Sequence, residues 1–315
     1  MFLGVEIGGT KLQLGVGRGD GRLVALNRFD VRPERGAAGI REQIRAAGPQ
    51  LIARHNVTAA GFGFGGPVET ATGVAVKSHH IQGWDRFPLA DWCREELGIP
   101  AVIENDCDAA ALAEACFGAG RGRNPVLYVT VGTGIGGGLV VDGRIYRGAG
   151  HGAAEIGHLR PGLACQDANS NLESLASGWG IAARTRQRLS RNDPGERTEA
   201  NLLRSRCADN LNMLTTKVVA EAAARGNVVA CEVLSEAVQA LGWGIAQAIT
   251  LCAPEAVVVG GGVSMAGEQL FWKPLRQAID CFVFPPFDEV FQLLPAELEE
   301  EVVVHGALAA AKSQF

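Results

Sequence analysis

The sequence predicts a duplicated α/β protein of two domains, and three observations carry that reading. The chain has 315 residues, enough for two hydrophobic cores. Strand-like and helix-like segments follow one another along it. Each half opens on a strand, a turn carrying Gly and Thr, and a returning strand, with Gly8-Gly9-Thr10 in the first turn and Gly132-Thr133-Gly134 in the second. No short period recurs, which excludes a solenoid.

Bulk properties narrow the class. The formal net charge of -5 gives no electrostatic case for a nucleic-acid or membrane partner. The first residues run straight into a strand-like stretch, without the basic region and long apolar run of a signal peptide. No apolar run reads as long enough to cross a bilayer. A cytoplasmic location is therefore expected. The eight Cys, none in a C-x-x-C pair, read as reduced thiols, several of them core filler.

The elements follow in order. Residues 2–7 and 12–17 are predicted strands around the first turn. Residues 36–55 read as a helix. Residues 58–64 form a buried strand closed by Gly65-Gly66-Pro67. A helix over 88–97 stops at Gly98, a favoured residue just past a helix end. Residues 100–104 are a strand and 109–117 a helix of small residues. The Gly-rich, basic stretch 118–125 ends in Pro and reads as a linker. It divides an N-terminal lobe (1–117 plus 303–315) from a C-terminal one (118–302). Beyond it, 126–131 is a strand, 132–138 a turn and 139–141 a returning strand. Helices dominate 175–251. Residues 256–259 form a strand ending in Gly260-Gly261-Gly262. The chain closes with a strand over 301–304 and a helix over 305–312.

The two Gly/Thr turns have the chemistry of phosphate cradles. Phosphates need backbone N–H groups at close range, and Gly permits that approach. Thr10 and Thr133 add hydroxyls and Lys11 adds a charge. The same turns also suit plain hairpins. Gly61/Gly63/Gly66 and Gly132/Gly134/Gly137 match G-x-G-x-x-G formally, but neither leads into a helix, which speaks against a dinucleotide site. Glu104-Asn105-Asp106 follows a strand and opens a helix. The helix N-terminus there favours a carboxylate that could take a proton from a hydroxyl, or the pair is simply a helix cap. Glu155-Ile156-Gly157-His158 and Leu172-Glu173 place two carboxylates and an imidazole in one polar stretch. That suits a polyol's mixed donors and acceptors, or a solvated loop and a cap. His151, His158 and Cys165 lack the tight spacing of a zinc site.

Taken in order, these segments resemble the ROK family of sugar kinases and sugar-responsive repressors. The likeness is carried by Glu6 to Lys11, Gly65 to Val68, Glu104 to Asp106 with Ala109 to Glu114, Gly132 to Gly138, Glu155 to His158, Leu172-Glu173 with Ala176 to Gly178, and Gly260 to Ser264. It implies an actin-like ATPase (ribonuclease-H-like) fold of two lobes with a central cleft. It implies an ATP-dependent hexose kinase acting on the 6-hydroxyl, with glucose as the first expectation and a homodimer as the expected assembly. Asp106 would be the catalytic base. Asn105, Glu155, His158 and Glu173 would hold sugar hydroxyls, with Gly66 and Ser78 close by. Gly8, Gly9, Thr10, Lys11, Gly132, Thr133 and Gly134 would hold the ATP phosphates with Mg²⁺, and Gly261 and Gly262 would lie against the adenosine. The chain begins at the first hairpin, without the repressors' helix-turn-helix, which favours the kinase branch.

Three departures stand out. Glu6 replaces the family's usual Asp, and its longer arm would touch Mg²⁺ only indirectly. The family's Cys-rich zinc motif is reduced to Cys165, so no structural zinc is expected. His79-His80-Ile81-Gln82 precedes Gly83-Trp84 in place of the usual Asn-Leu, which bears on sugar preference. Alternatives are a non-catalytic sugar-binding regulator, a kinase for fructose, mannose or an N-acetylhexosamine, and polyphosphate as donor.

Overall fold

The computed structural model describes residues 1–78, 80–149, 152–162, 167, 169–191, 197–207 and 210–315; His79, His151 and Cys165 lie outside the described residues. The chain divides into two compact units. The first comprises Met1–Tyr128, Gly138–Ala153 and Ala296–Phe315, and the second Val129–Gly137 and Ala154–Pro295.

The first unit is built on a five-stranded sheet. Strands β1 (Phe2–Ile7), β2 (Lys11–Gly17) and β3 (Leu23–Asp30) form an antiparallel meander, β4 (Ala59–Phe64) joins β1 in parallel, and β7 (Ala101–Asn105) joins β4 in parallel. The order is β3-β2-β1-β4-β7. Parallel neighbours need crossovers, supplied by α1 (Gly36–His55) and by α2 (Leu89–Leu97), which ends on Gly98 at φ 71°. The two-residue strands β5 (Val68–Glu69) and β6 (Val74–Ala75) pair between them.

Glycines shape one face of this sheet. Gly15, Gly4 and Gly61 are cross-strand neighbours, with Gly63 two residues further along on the same face. Helix α10 (Val302–Gln314) packs directly onto them. A Cβ on Gly4 would lie 2.7 Å from the Val304 carbonyl oxygen, and one on Gly61 would run into the Ala307 carbonyl. On its other flank, Gly306 meets the backbone of Ala109 in α3 (Asp106–Phe117). Missing side chains thus let backbones approach as closely as side-chain packing forbids elsewhere.

This packing corrects the strand expected over 301–304. The run Val302-Val303-Val304 has strand propensity, yet it is the first turn of α10. Val303 and Val304 fill the space that Gly63 and Gly15 leave open, so tertiary contact overrides local preference. The stretch read as a linker is a fastened turn inside the first unit. The buried Glu114 carboxylate accepts hydrogen bonds from the N–H groups of Ala119 (2.9 Å), Glu297 (3.0 Å) and Leu298 (2.9 Å).

A second sheet has the order β10-β9-β8-β11-β12. It contains β8 (Val126–Val131), β9 (Ile135–Val141), β10 (Arg144–Ile145), β11 (Ala256–Gly260) and β12 (Gln292–Pro295), and β8 and β9 run through both units. The second unit adds α4 (Leu172–Ala176), α5 (Gly178–Ser190), α6 (Arg197–Arg206), α7 (Thr216–Ala223), α8 (Val228–Cys252) and α9 (Lys273–Phe282). Contrary to the sequence expectation, α8 is long and apolar enough to span a bilayer by length and composition. Its packing is that of a core helix. It buries residues such as Val233, Leu241 and Ile245 against α4, α5, α7 and α9, while Glu232 and Glu236 pair with Arg188 and Arg184 of α5.

His305 on α10 is nearly buried near the Phe117 ring, and burial pulls its pKa below 6.5 against the raising effect of Glu301. The unfolded chain therefore takes up this proton first. The contribution is fully present above about pH 6.5 and is lost as pH falls through the lower folded pKa. Glu6, Glu104 and Glu114 are all pushed up by burial and slope the other way. We therefore expect the unfolding midpoint of wild type minus that of His305→Gln to shrink between pH 7 and pH 5, as checked by thermal melts of both proteins across that range.

Candidate active site

A polar rung crosses the first sheet. The strand register aligns Arg28, Gln13, Glu6, Gly63 and Glu104 on β3, β2, β1, β4 and β7 in that order. Gln13 donates to Glu6 Oε2 at 2.6 Å, and Lys11 Nζ lies 3.4 Å from Glu6 Oε1. Burial pushes the Glu6 carboxyl above its usual range. Lys11 and Gln13 oppose that, and the charge of Asp106 adds to it. At the far end of the rung, buried Glu104 pairs with Arg147 and accepts from Thr70 Oγ1 at 3.3 Å.

The strand ends beyond this rung carry the turns. Gly8 N–H donates to the Lys11 carbonyl at 3.0 Å, closing the first Gly/Thr turn, and Gly65 N–H donates to the Ile7 carbonyl at 2.9 Å. A Cβ on Gly65 would lie 3.5 Å from Asp106 Oδ2 and 3.7 Å from Gly8 Cα. The carboxylate of Asp106 therefore borders the Gly65 turn, which in turn lies against Gly8. Gly66 holds φ at 155° with its Cα turned into the Lys77 carbonyl, so a side chain there would collide with backbone.

Asn105 is the helix cap that its sequence position allowed. Its Oδ1 accepts from the N–H groups of Cys107 (2.8 Å) and Asp108 (3.3 Å), and its Nδ2 donates to the Gly66 carbonyl at 3.1 Å. The cap thus ties the start of α3 to the Gly65-Gly66 turn. Asp106, the first helical residue, accepts from Cys107 N–H at 2.9 Å through Oδ1. Ser78 Oγ accepts from His80 and Ile81 N–H groups at 3.3 and 3.2 Å. His80 lies against Gly9, 3.1 Å from where a Cβ would stand. Thr10 is exposed at the turn, with its carbonyl accepting from Val31 N–H. The sequence singled out Glu6, Lys11, Asn105 and Asp106 as candidates. It passed over Gln13 and the Glu104–Arg147 pair, although Gln13 between Leu12 and Leu14 is a polar break in an apolar strand.

The second unit gathers its own set. The turn at Gly132-Thr133-Gly134 is pinned by the start of α5, where Gly178 N–H donates to the Gly132 carbonyl (2.8 Å) and Trp179 N–H to the Thr133 carbonyl (3.2 Å). Glu173 on α4 lies directly against Gly134, and its Oε2 accepts from Ile135 N–H at 2.8 Å. Gly157 abuts the Ile135 carbonyl, which seats the 3₁₀ turn Ile156–His158 on the start of β9. Glu155 and His158 are exposed there. His158 Nδ1 lies 3.5 Å from Nδ2 of Asn171, the residue that caps α4. Gly261 takes φ 93° with its Cα packed on the Val131 backbone, and Val263 N–H donates to the Val131 carbonyl at 2.9 Å. Gly262 next to it faces open space. The structure therefore brings Gly132 to Gly134, Glu155, His158 and Glu173 together, with Gly261 and Gly262 at the end of the neighbouring strand. Among the described residues no three His, Cys, Asp or Glu side chains cluster as metal ligands.

Comparison with known proteins gives a consistent picture. The model of the ROK family matches residues 2–314. The chain is 32% identical to a glucokinase of Halalkalibacterium halodurans, covering 99% of this chain and 95% of that protein. It is 33% identical to a glucokinase of Streptomyces coelicolor, covering 99% and 98%. A crystal structure of a ROK family glucokinase from Streptomyces griseus in complex with glucose and AMPPNP is similar with a TM-score of 0.82, at 32% identity and 99% coverage of both chains.

The adjacent glycines separate fold from ligand. Gly261→Ala forces a side chain into a left-handed backbone position 2.6 Å from Val131, and we expect it to cost more than about 1 kcal/mol of stability. Gly262→Ala meets nothing and should leave the melting temperature unchanged. Thermal melts of the two variants check the contrast.

Proposed function

The chain belongs to the ROK family, and on that premise we propose that it is an ATP-dependent hexose kinase, with glucose as its sugar and the 6-hydroxyl as acceptor. The full-length likeness to glucokinases, one of them solved with glucose and AMPPNP, supports the sugar and the donor. Among its own residues, the observation that carries the reading is the Asp106 carboxylate at the head of α3, set against the Gly65 turn that packs on Gly8.

In the proposed reaction, the sugar hydroxyl oxygen attacks the γ-phosphorus of ATP. A new O–P bond forms as the β–γ bridging P–O bond breaks, the hydroxyl proton passes to Asp106, and ADP leaves. Proton acceptance at the attacking oxygen and charge neutralisation on the phosphoryl oxygens are the two demands of such a transfer. Asn105 keeps Asp106 at the helix start while holding the Gly66 carbonyl. Its remaining N–H is assigned to a sugar hydroxyl, with Gly66 and Ser78 nearby. Exposed Glu155 and His158, with Glu173, supply further sugar hydrogen bonds. Gly8, Gly9, Thr10 and Lys11 are assigned to phosphate, as are Gly132, Thr133 and Gly134, and Gly261 and Gly262 to the adenosine. The half-buried Glu6 carboxylate, in electrostatic reach of Asp106, fits a divalent cation held at one remove. Mg²⁺, when bound there, would neutralise phosphate charge. A homodimer without nucleic-acid or membrane partners completes the proposal.

The test is a coupled ADP-release assay across hexoses, run with ATP and with polyphosphate. Turnover should be highest with glucose and ATP. Asp106→Ala should bind glucose as wild type does in calorimetry while losing on the order of 10²- to 10⁴-fold in kcat. Near-normal turnover in that variant would refute the assignment, and sugar binding without turnover in wild type would favour a regulator. Gly262→Ala, expected above to spare stability, should raise the KM for ATP and leave that for glucose unchanged.

A further inference from the structure

Of the polar rung only Glu6 has a part in the reaction as written, and its immediate neighbour Gln13 has none. Gln13 is 0% exposed, on the sheet face that α10 covers. Every polar atom of its side chain is engaged. Nε2 donates to Glu6 Oε2 at 2.6 Å and to the Glu300 carbonyl at 2.8 Å, and Oε1 accepts from Arg28 Nε at 3.1 Å. A flipped amide would turn its oxygen towards a carboxylate and a carbonyl, so the partners fix its orientation. Arg28 is in turn paired with Glu301.

The Glu300 carbonyl has a second donor, Lys11 Nζ at 3.1 Å. Lys11 also lies 3.4 Å from the other Glu6 oxygen. Both oxygens of Glu6 are thus gripped, one by Gln13 and one by Lys11, and both grips are tied to one carbonyl in the turn that leads into α10. A Glu side chain has three rotatable bonds and keeps one position only when its surroundings impose it. An apolar residue would fill the same place without needing three partners. The polar choice makes sense if the position of the Glu6 charge matters.

We propose that Gln13 is a positioning residue, holding the Glu6 carboxylate at a fixed spacing from Asp106. The inference takes from the preceding section that Asp106 receives the sugar proton. Through Gln13, the start of α10 sets the geometry of the acidic pair.

The test uses the full chain carrying Gln13→Met, which keeps length and removes polarity, and Gln13→Glu, which keeps shape and removes the donor. Arg28→Met, which loosens only the outer tether of Gln13, serves as a milder variant should either fail to fold. Displacing a catalytic group by about an ångström costs on the order of 10²-fold in rate. We expect a loss of that order in kcat for both Gln13 variants, a smaller one for Arg28→Met, and glucose dissociation constants, measured by calorimetry without nucleotide, within about threefold of wild type. In a Glu6→Ala background, Gln13→Met should slow turnover no further. The melting-temperature losses of Glu6→Ala and Gln13→Met should also be clearly non-additive, a readout independent of turnover. Folded Gln13 variants with unchanged kcat would overturn the proposal, as would additive melting shifts. A wild type that phosphorylates no hexose would sink the kinase reading instead, and the coupling of the melts would still decide whether Gln13 grips Glu6.

Discussion

Helix α10 can lie on the first sheet only because the strand positions beneath it lack side chains. Gly4, Gly15, Gly61 and Gly63 open one face, and Gly306 opens the helix towards α3. Much of the first unit's geometry depends on that close contact. It places the Glu300 carbonyl over Gln13 and Lys11, and it sets α3, with Asp106 at its head, on the helix's other flank. An alanine at Gly61 would meet the α10 backbone, so the helix would have to lift and the rung would lose its anchor.

The same economy of side chains recurs in the second unit, with a different purpose. There Gly134 and Gly261 lie in turns, and what meets them is a carboxylate or a neighbouring strand's backbone. Glu173 braces Gly134, and Val131 backs Gly261. Gly132 and Gly262, by contrast, have no neighbour where a side chain would be. Gly/Thr turns open on one side and held rigidly on the other are suited to an anionic ligand, because N–H groups that are already positioned need no reordering on binding.

Much of this was legible in the sequence. The hairpins, α1, the buried strand before Gly65 and the cap at Asn105 follow from apolar runs bounded by turn and cap residues. The motif set around Asp106 and Glu173 carried the family. Other features were hidden for physical reasons. Strand glycines look like turn glycines until the helix that needs them is seen. Val302 to Val304 look like a strand because their β-branched preference is overruled only by packing on distant residues. The capture of residues 297–298 by Glu114 joins positions too far apart in the chain for any local pattern to record. Gln13 and the Glu104–Arg147 pair required the strand register, since only alignment across five strands turns scattered polar residues into one row.

The return of residues 296–315 to the first unit has a consequence for biosynthesis. The meander and its parallel neighbours emerge from the ribosome early, yet their glycine face is covered only when residues 302–314 have been made. Until then that face of the sheet has no cover, and the unit cannot complete its packing. Completion of the first unit therefore waits until the whole of the second unit's sequence has been made.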